Sequence, residues 1–195
     1  MNVDLEIKQG STFQRIVRYE KEPFLFAPIT AILVRTPARF TCTSHGIPDD
    51  WRVALVGMTG AKAAAVDFPP TDDEFYVSKK VDTNTVEINE LVSADLGKTA
   101  GGSLCYYTPV SLTAATARMQ IKDKVGGTEL MLLNTTNARL VLDAVASTIS
   151  IVIDAADTGA ITWLRGVYDL ELEVAGVVYP VLDGTVKVIK EVTTV

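Results

Sequence analysis

His45 is the single histidine of the 195 residues, so any Ser-His-Asp or Cys-His arrangement would have to be built on it. Cys42 stands three positions before it, and a Cys-His pair on one side of a turn is a start toward a metal site. Zinc takes four ligands at recurrent spacings, and none of those spacings occurs here. Gly46, Pro48 and Asp49 make a turn in which the expected role of His45 is a stabilising hydrogen bond. Asp157-Thr158-Gly159 is the aspartic-protease triplet. That chemistry needs two carboxylates sharing a proton, so a single triplet would require a homodimer. Here the triplet falls where a helix start is expected, and the cap-and-turn reading is preferred. Asp49-Asp50 and Asp72-Asp73-Glu74 are acidic clusters of the kind calcium sites use, but no D-x-D-x-D-G loop frames them. They read as solvated faces. No phosphate-cradling glycine motif occurs, and Gly126-Gly127-Thr128 reads as a turn between strands. Asn134-Thr135-Thr136 fits a glycosylation triplet, which carries no meaning in a cytoplasmic product. Trp51, Trp163, Tyr106, Tyr107, Tyr168 and Tyr179 could line a sugar-binding face, but they are scattered, and core or subunit-interface packing is the default. Cys42 and Cys105, the two cysteines, could meet on adjacent strands; buried thiols acting as small apolar residues are the preferred reading. The expectation is a protein with no catalytic residue, no cofactor and no metal ion, hence not an enzyme.

Composition narrows the partners. Hydrophobic residues make up 48% and charged residues 22%, which points to a globular chain with a real core rather than a disordered one. Eighteen basic against 24 acidic residues leave a net charge of −6. Such a chain is repelled by phosphate backbones, and no basic run longer than Lys79-Lys80 offsets this, so no nucleic acid is expected as partner. The opening Met1-Asn2-Val3-Asp4-Leu5-Glu6 alternates and is charged, unlike a signal peptide. No stretch approaches the roughly 18 apolar residues that cross a bilayer. A protein made and folded in a cytoplasm, with no membrane partner, is expected.

The elements that would position these residues are strands. Val3, Leu5 and Ile7 alternate with Asp4, Glu6 and Lys8, and Phe13, Val17 and Tyr19 with Gln14 and Arg18. Gly10-Ser11 between them looks like a hairpin turn. Ile149, Ile151 and Ile153 form another run; Tyr168, Leu170, Leu172 and Val174 form a fourth, with Asp169, Glu171 and Glu173 facing water. Ala175-Gly176 and Asp183-Gly184 are turn signals that predict a three-stranded meander at the end of the chain. Helical signal is confined to 154–164, where Asp154 is positioned to cap the first turn and Asp157 lies near the positive end of its dipole. One or two short turns are expected there. Short strands are predicted at 39–43, 51–56, 74–81, 85–89 and 103–107, with Asp82-Thr83-Asn84 as a turn; residues 61–67 are small, apolar and poorly patterned. This texture suggests that residues 28–107 are a small β domain inserted into a discontinuous one formed by residues 1–27 and 108–195.

Several runs carry a family resemblance. Gly166-Val167-Tyr168-Asp169-Leu170-Glu171-Leu172, followed by Val181-Leu182-Asp183-Gly184-Thr185-Val186, resembles a pattern of phage and prophage proteins. Ala117-Arg118-Met119-Gln120-Ile121-Lys122-Asp123-Lys124 resembles the central strand of the same proteins, and Gln9-Gly10-Ser11-Thr12-Phe13 their opening turn. These cover 1–20 and 108–195, for which the resemblance implies an immunoglobulin-like β-sandwich. In the middle, Ser44-His45-Gly46-Ile47-Pro48, Val53-Ala54-Leu55-Val56-Gly57-Met58, Tyr76-Val77, Asn84-Thr85-Val86-Glu87-Ile88 and Gly101-Gly102 follow the order of a small β domain of phage tail proteins. That domain is similar to the first catalytic-cysteine half-domain of ubiquitin-activating enzymes, which carries no catalytic cysteine, so neither Cys42 nor Cys105 inherits a role. The family has a polar Asn-Gly turn after the Met, where this chain has Thr59-Gly60-Ala61-Lys62-Ala63-Ala64-Ala65. The fold class expected is therefore all-β, an immunoglobulin-like β-sandwich with a small inserted β-barrel-like domain. The implied role is a structural component of a bacteriophage virion, a tail or baseplate protein that mediates subunit or fibre attachment. Its location would be the virion tail, after synthesis in the bacterial host cytoplasm. Its partners would be other virion proteins and further copies of itself. Alternatives in the same frame are a receptor- or carbohydrate-binding tail protein, and a capsid decoration or head–tail connector protein.

Overall fold

Alternation of apolar and polar residues is realised as strands along almost the whole chain. The structure, a computed structural model, describes residues 2–33, 35–58, 65–97 and 100–192; the loop at 59–64 that departs from the family pattern lies outside them. In chain order the strands are β1 (Leu5–Lys8), β2 (Phe13–Arg18), β3 (Glu20–Pro28), β4 (Ala31–Leu33), β5 (Ala38–Thr41), β6 (Arg52–Val56), β7 (Ala65–Val66), β8 (Tyr76–Lys80), β9 (Thr85–Ile88) and β10 (Ser103–Pro109). There follow β11 (Thr116–Lys122), β12 (Glu129–Asn134), β13 (Leu140–Asp143), β14 (Thr148–Ile153), β15 (Arg165–Val174) and β16 (Val177–Ile189). Two short α-helices, α1 (Ser93–Leu96) and α2 (Ala155–Gly159), and a 3-10 turn at Asp72–Glu74 complete the described elements. The fold is all-β.

Residues 1–19 and 111–195 form one compact unit. Its first sheet runs β1-β16-β15-β11-β12 and its second β13-β14-β2. Period two decides which side chains meet between them. Leu5 and Ile7, Met119 and Ile121, Leu170 and Leu172, and Val186 and Val188 are buried in one core with Leu140, Ile149, Ile151 and Ile153. Asp169 and Glu173 of β15 point to solvent, while Glu171 meets its directly opposite neighbour Arg118 at 2.6 Å. Each fully buried Ile or Leu of this core contributes roughly 1.5–3 kcal/mol. Five strands over three, with the first strand parallel to the last and the chain crossing between the sheets after β1, β2, β12 and β14, make an immunoglobulin-like β-sandwich.

Three local expectations are corrected here. Gly10-Ser11 makes no hairpin: β1 pairs in parallel with β16 and β2 pairs with β14, so the turn carries the chain from one sheet to the other. Asp183-Gly184 is not a turn, and β16 runs through it unbroken opposite β15. The N-terminal chain decides this: Asn2 Nδ2 donates to Asp183 at 3.0 Å, and the bare Cα of Gly184 admits the Val3 backbone where a Cβ would collide with it. The expected short helical turn is present at 155–159, but Asp154, at its N-cap position, makes no side-chain cap bond.

Residues 20–110 form the second compact unit. It starts earlier than the composition suggested, because β3 pairs along β10 from Pro28↔Ser103 to Glu20↔Pro109 and belongs with it. Its sheet follows the order β3-β10-β6-β8-β9-β5-β4, with β7 parallel to β6. Chain continuity closes this curled sheet at one corner. Ile29 N–H donates to Gly102 O at 3.0 Å on the β10 side, and the next residue, Thr30, donates to Thr41 O at 2.9 Å on the β5 side. The enclosed core holds Phe40, Ile47, Trp51, Val86, Ile88 and Leu104. Trp51 is fully buried, and its indole N–H is satisfied by Tyr107 O at 3.0 Å.

Candidate functional site

The polar residues singled out in the sequence are absorbed by structure. His45 is buried, and Ile47 N–H donates to its Nδ1 at 3.0 Å. The ring proton therefore sits on Nε2, which donates to Asp82 O at 2.9 Å. The imidazole thus staples its own turn to the loop at Asp82, and Tyr106 O–H donates to the His45 backbone carbonyl at 2.6 Å. Cys42 and Cys105 are free and buried. They do not lie on adjacent strands: Cys105 pairs with Phe26 and Ala54, and β6, β8 and β9 separate β10 from the β5 side, where Cys42 N–H bonds to Asn84 O. Burial pushes their thiols up to about 12 and about 11, so neither is a ready thiolate. Asp157 faces Arg139 at 2.5 Å, and Thr158 Oγ1, fully buried, lies 2.9 Å from the Ser11 carbonyl, fixing the helix onto the turn after β1. No group of three or more His, Cys, Asp and Glu side chains among the described residues is placed to hold a metal ion. Asp49 accepts from Lys80 N–H at 2.8 Å, and Glu74 accepts from Thr71, closing a tight turn.

Of the six candidate aromatic residues, Trp51, Tyr106 and Tyr168 are core. Tyr107 instead joins a surface that the sequence reading missed. On the face of the insert's sheet opposite the core, the register sets Phe26 beside Cys105 and Ala54, and Phe24 beside Tyr107. Phe24 and Tyr107 lie 4.3 Å apart between centroids, and Phe75 stacks on Tyr107 at 5.7 Å. Phe68, arriving on the segment after β7, meets Phe24 at 5.7 Å and Phe26 at 5.4 Å. The outer rings stay open to solvent: Phe26 is 48% and Phe68 56% exposed. Scattered exposed phenylalanines need no explanation, but five rings in continuous contact do.

A polar end completes the ridge. The Arg52 guanidinium lies 5.1 Å from the Phe75 centroid and 5.3 Å from that of Tyr107. It pairs with Glu20 and, at 3.5 Å, with Asp72. Burial raises the Tyr107 phenol, with Asp72, Glu20 and Glu22 adding to the rise against the opposing charge of Arg52. The signal in the sequence was the spacing Phe24-x-Phe26, which puts both rings on one face of a strand. Phe68 and Phe75 reach that face only through the fold.

No protein-family model matches the chain. No curated protein matches it either.

Proposed function

We propose that this protein is a non-catalytic structural component of a bacteriophage virion, seated in the tail or baseplate, where it attaches neighbouring subunits or a fibre. The supporting observation is where the family-like runs fall. The runs at 117–124, 166–172 and 181–186 are far apart in sequence, yet they form β11, β15 and β16, which are consecutive strands of one sheet, and the run at 9–13 lies on the turn entering β2. Runs that share one folded unit are constrained together, as the parts of a single module are. Such a module works by apolar contact and edge-strand pairing, and copies arranged about a tail axis would repeat the same contact by cyclic symmetry.

The test is immunogold electron microscopy of intact particles with an antibody against this chain. Label at the tail tip or baseplate supports the proposal. Label on the head replaces it with a decoration or connector role. Particles without the protein by mass spectrometry sink the virion reading altogether.

A further inference from the structure

We propose that the aromatic ridge of the 20–110 unit docks an extended polypeptide segment of another protein, apolar at its centre and flanked by lysine or arginine. The inference rests on this surface alone and stands apart from the virion reading.

The backbone beneath the ridge is an open edge. Among the described residues β3 ends its sheet, with β10 on one side only. Ile29 N–H and C=O both point toward the Gly101–Gly102 side, so alternation turns Ala27 and Leu25 the same way. Phe24 and Phe26 therefore turn their N–H and C=O groups to the open side. Pro28 shares that parity and has no N–H to leave unpaired there. An added strand thus finds a short ladder at Phe24 and Phe26, directly beside the rings that would receive its side chains.

Charge selects the occupant. Glu20, Glu22, Asp67, Asp72, Asp73 and Glu74 lie on the ridge or within two residues of its rings in sequence, against Lys21 and Arg52. Arg52 is already held by two of these carboxylates. Its position over Phe75 and Tyr107 shows that rings here accept a guanidinium, and the open rings of Phe26 and Phe68 offer the same to a cation from outside. A second copy of the chain would bring an identical acidic rim against this one, and a phosphate-bearing ligand would meet the same repulsion.

The experiment uses the full chain and two synthetic peptides with the same alternating valine–phenylalanine centre, one flanked by lysines and the other by glutamates. Binding is read by fluorescence anisotropy, and amide exchange at Phe24 and Phe26 by NMR. The lysine peptide is expected to bind at least about tenfold tighter than the glutamate peptide, more weakly as salt rises, and to protect those two amides. Phe26→Ser with Phe68→Ser should weaken it by about tenfold or more while leaving the spectrum of the rest of the chain in place. Asp67→Lys with Asp73→Lys should abolish the preference between peptides. The proposal is overturned if neither peptide binds, if both bind equally, or if the phenylalanine variant binds as the parent does. Sedimentation showing a dimer of the parent that the phenylalanine variant loses would also overturn it, in favour of self-association.

Discussion

At the scale of single residues, the side chains that looked most chemical are occupied with holding loops. His45 accepts from one backbone amide and donates to one carbonyl in a buried site. Replacing it by alanine strands both groups, and the cost of leaving buried polar groups unpaired is about 1–3 kcal/mol. His45→Ala should therefore lower the unfolding free energy from denaturant curves by that amount, whereas loss of a solvated turn histidine would leave it unchanged. Tyr168 makes a second case. Its hydroxyl donates to Val3 O at 2.7 Å, and burial pushes its phenol up from 10.0 to about 12. The folded state then keeps a proton that the unfolded chain releases, so stability is fully present below about pH 10 and falls as pH rises toward 12. Tyr168→Phe should flatten that alkaline fall in a series of unfolding curves; an unchanged slope would assign it to other groups, the thiols of Cys42 and Cys105 first among them.

At the scale of elements, the strands that alternate cleanly were legible and the ones decided by distant chain were not. The isoleucines at 149, 151 and 153 and the run from Tyr168 to Val174 announce an inward and an outward face, and both are strands. Asp183-Gly184 carries a strong local turn signal that loses to a long-range one: the N-terminal segment lies across Gly184, and a continuous strand is what lets it pair. Gly184→Val should drive that segment off, costing about 1–3 kcal/mol and removing exchange protection from Leu5 to Lys8 while Ile149 to Ile153 keep theirs. Phe24 and Phe26 sit at strand spacing on one face, but Pro23 and Pro28 bracket them and blur the local strand pattern. The open edge of β3 tolerates Pro28, and Pro23 falls in the register shift between Lys21 and Phe24, where no residue of β10 stands opposite it. The rest of the ridge was illegible in principle, because Phe68 and Phe75 join it from a separate segment.

At the scale of the whole chain, the insertion is made between β2 and β11, and its two ends leave side by side, since Glu20 and Pro109 are cross-strand partners. A loop whose ends are already close is cheap to shorten. Replacing residues 20–110 with a short glycine-serine turn should leave residues 1–19 and 111–195 able to fold, with a cooperative thermal transition and the amide protection of β14 and β15 retained. Loss of that transition would mean that the outer unit depends on its insert.

β1 and β16 run parallel, Leu5 beside Val186 and Ile7 beside Val188. A pull applied before β1 and after β16 drags the two strands past each other along their length, so the ladder bonds stretch together in shear instead of opening one by one. Stretched by its ends in a force microscope, the chain should hold to a high rupture force that Ile7→Pro, by deleting a backbone donor, lowers sharply, while a proline at the β12 edge leaves it alone.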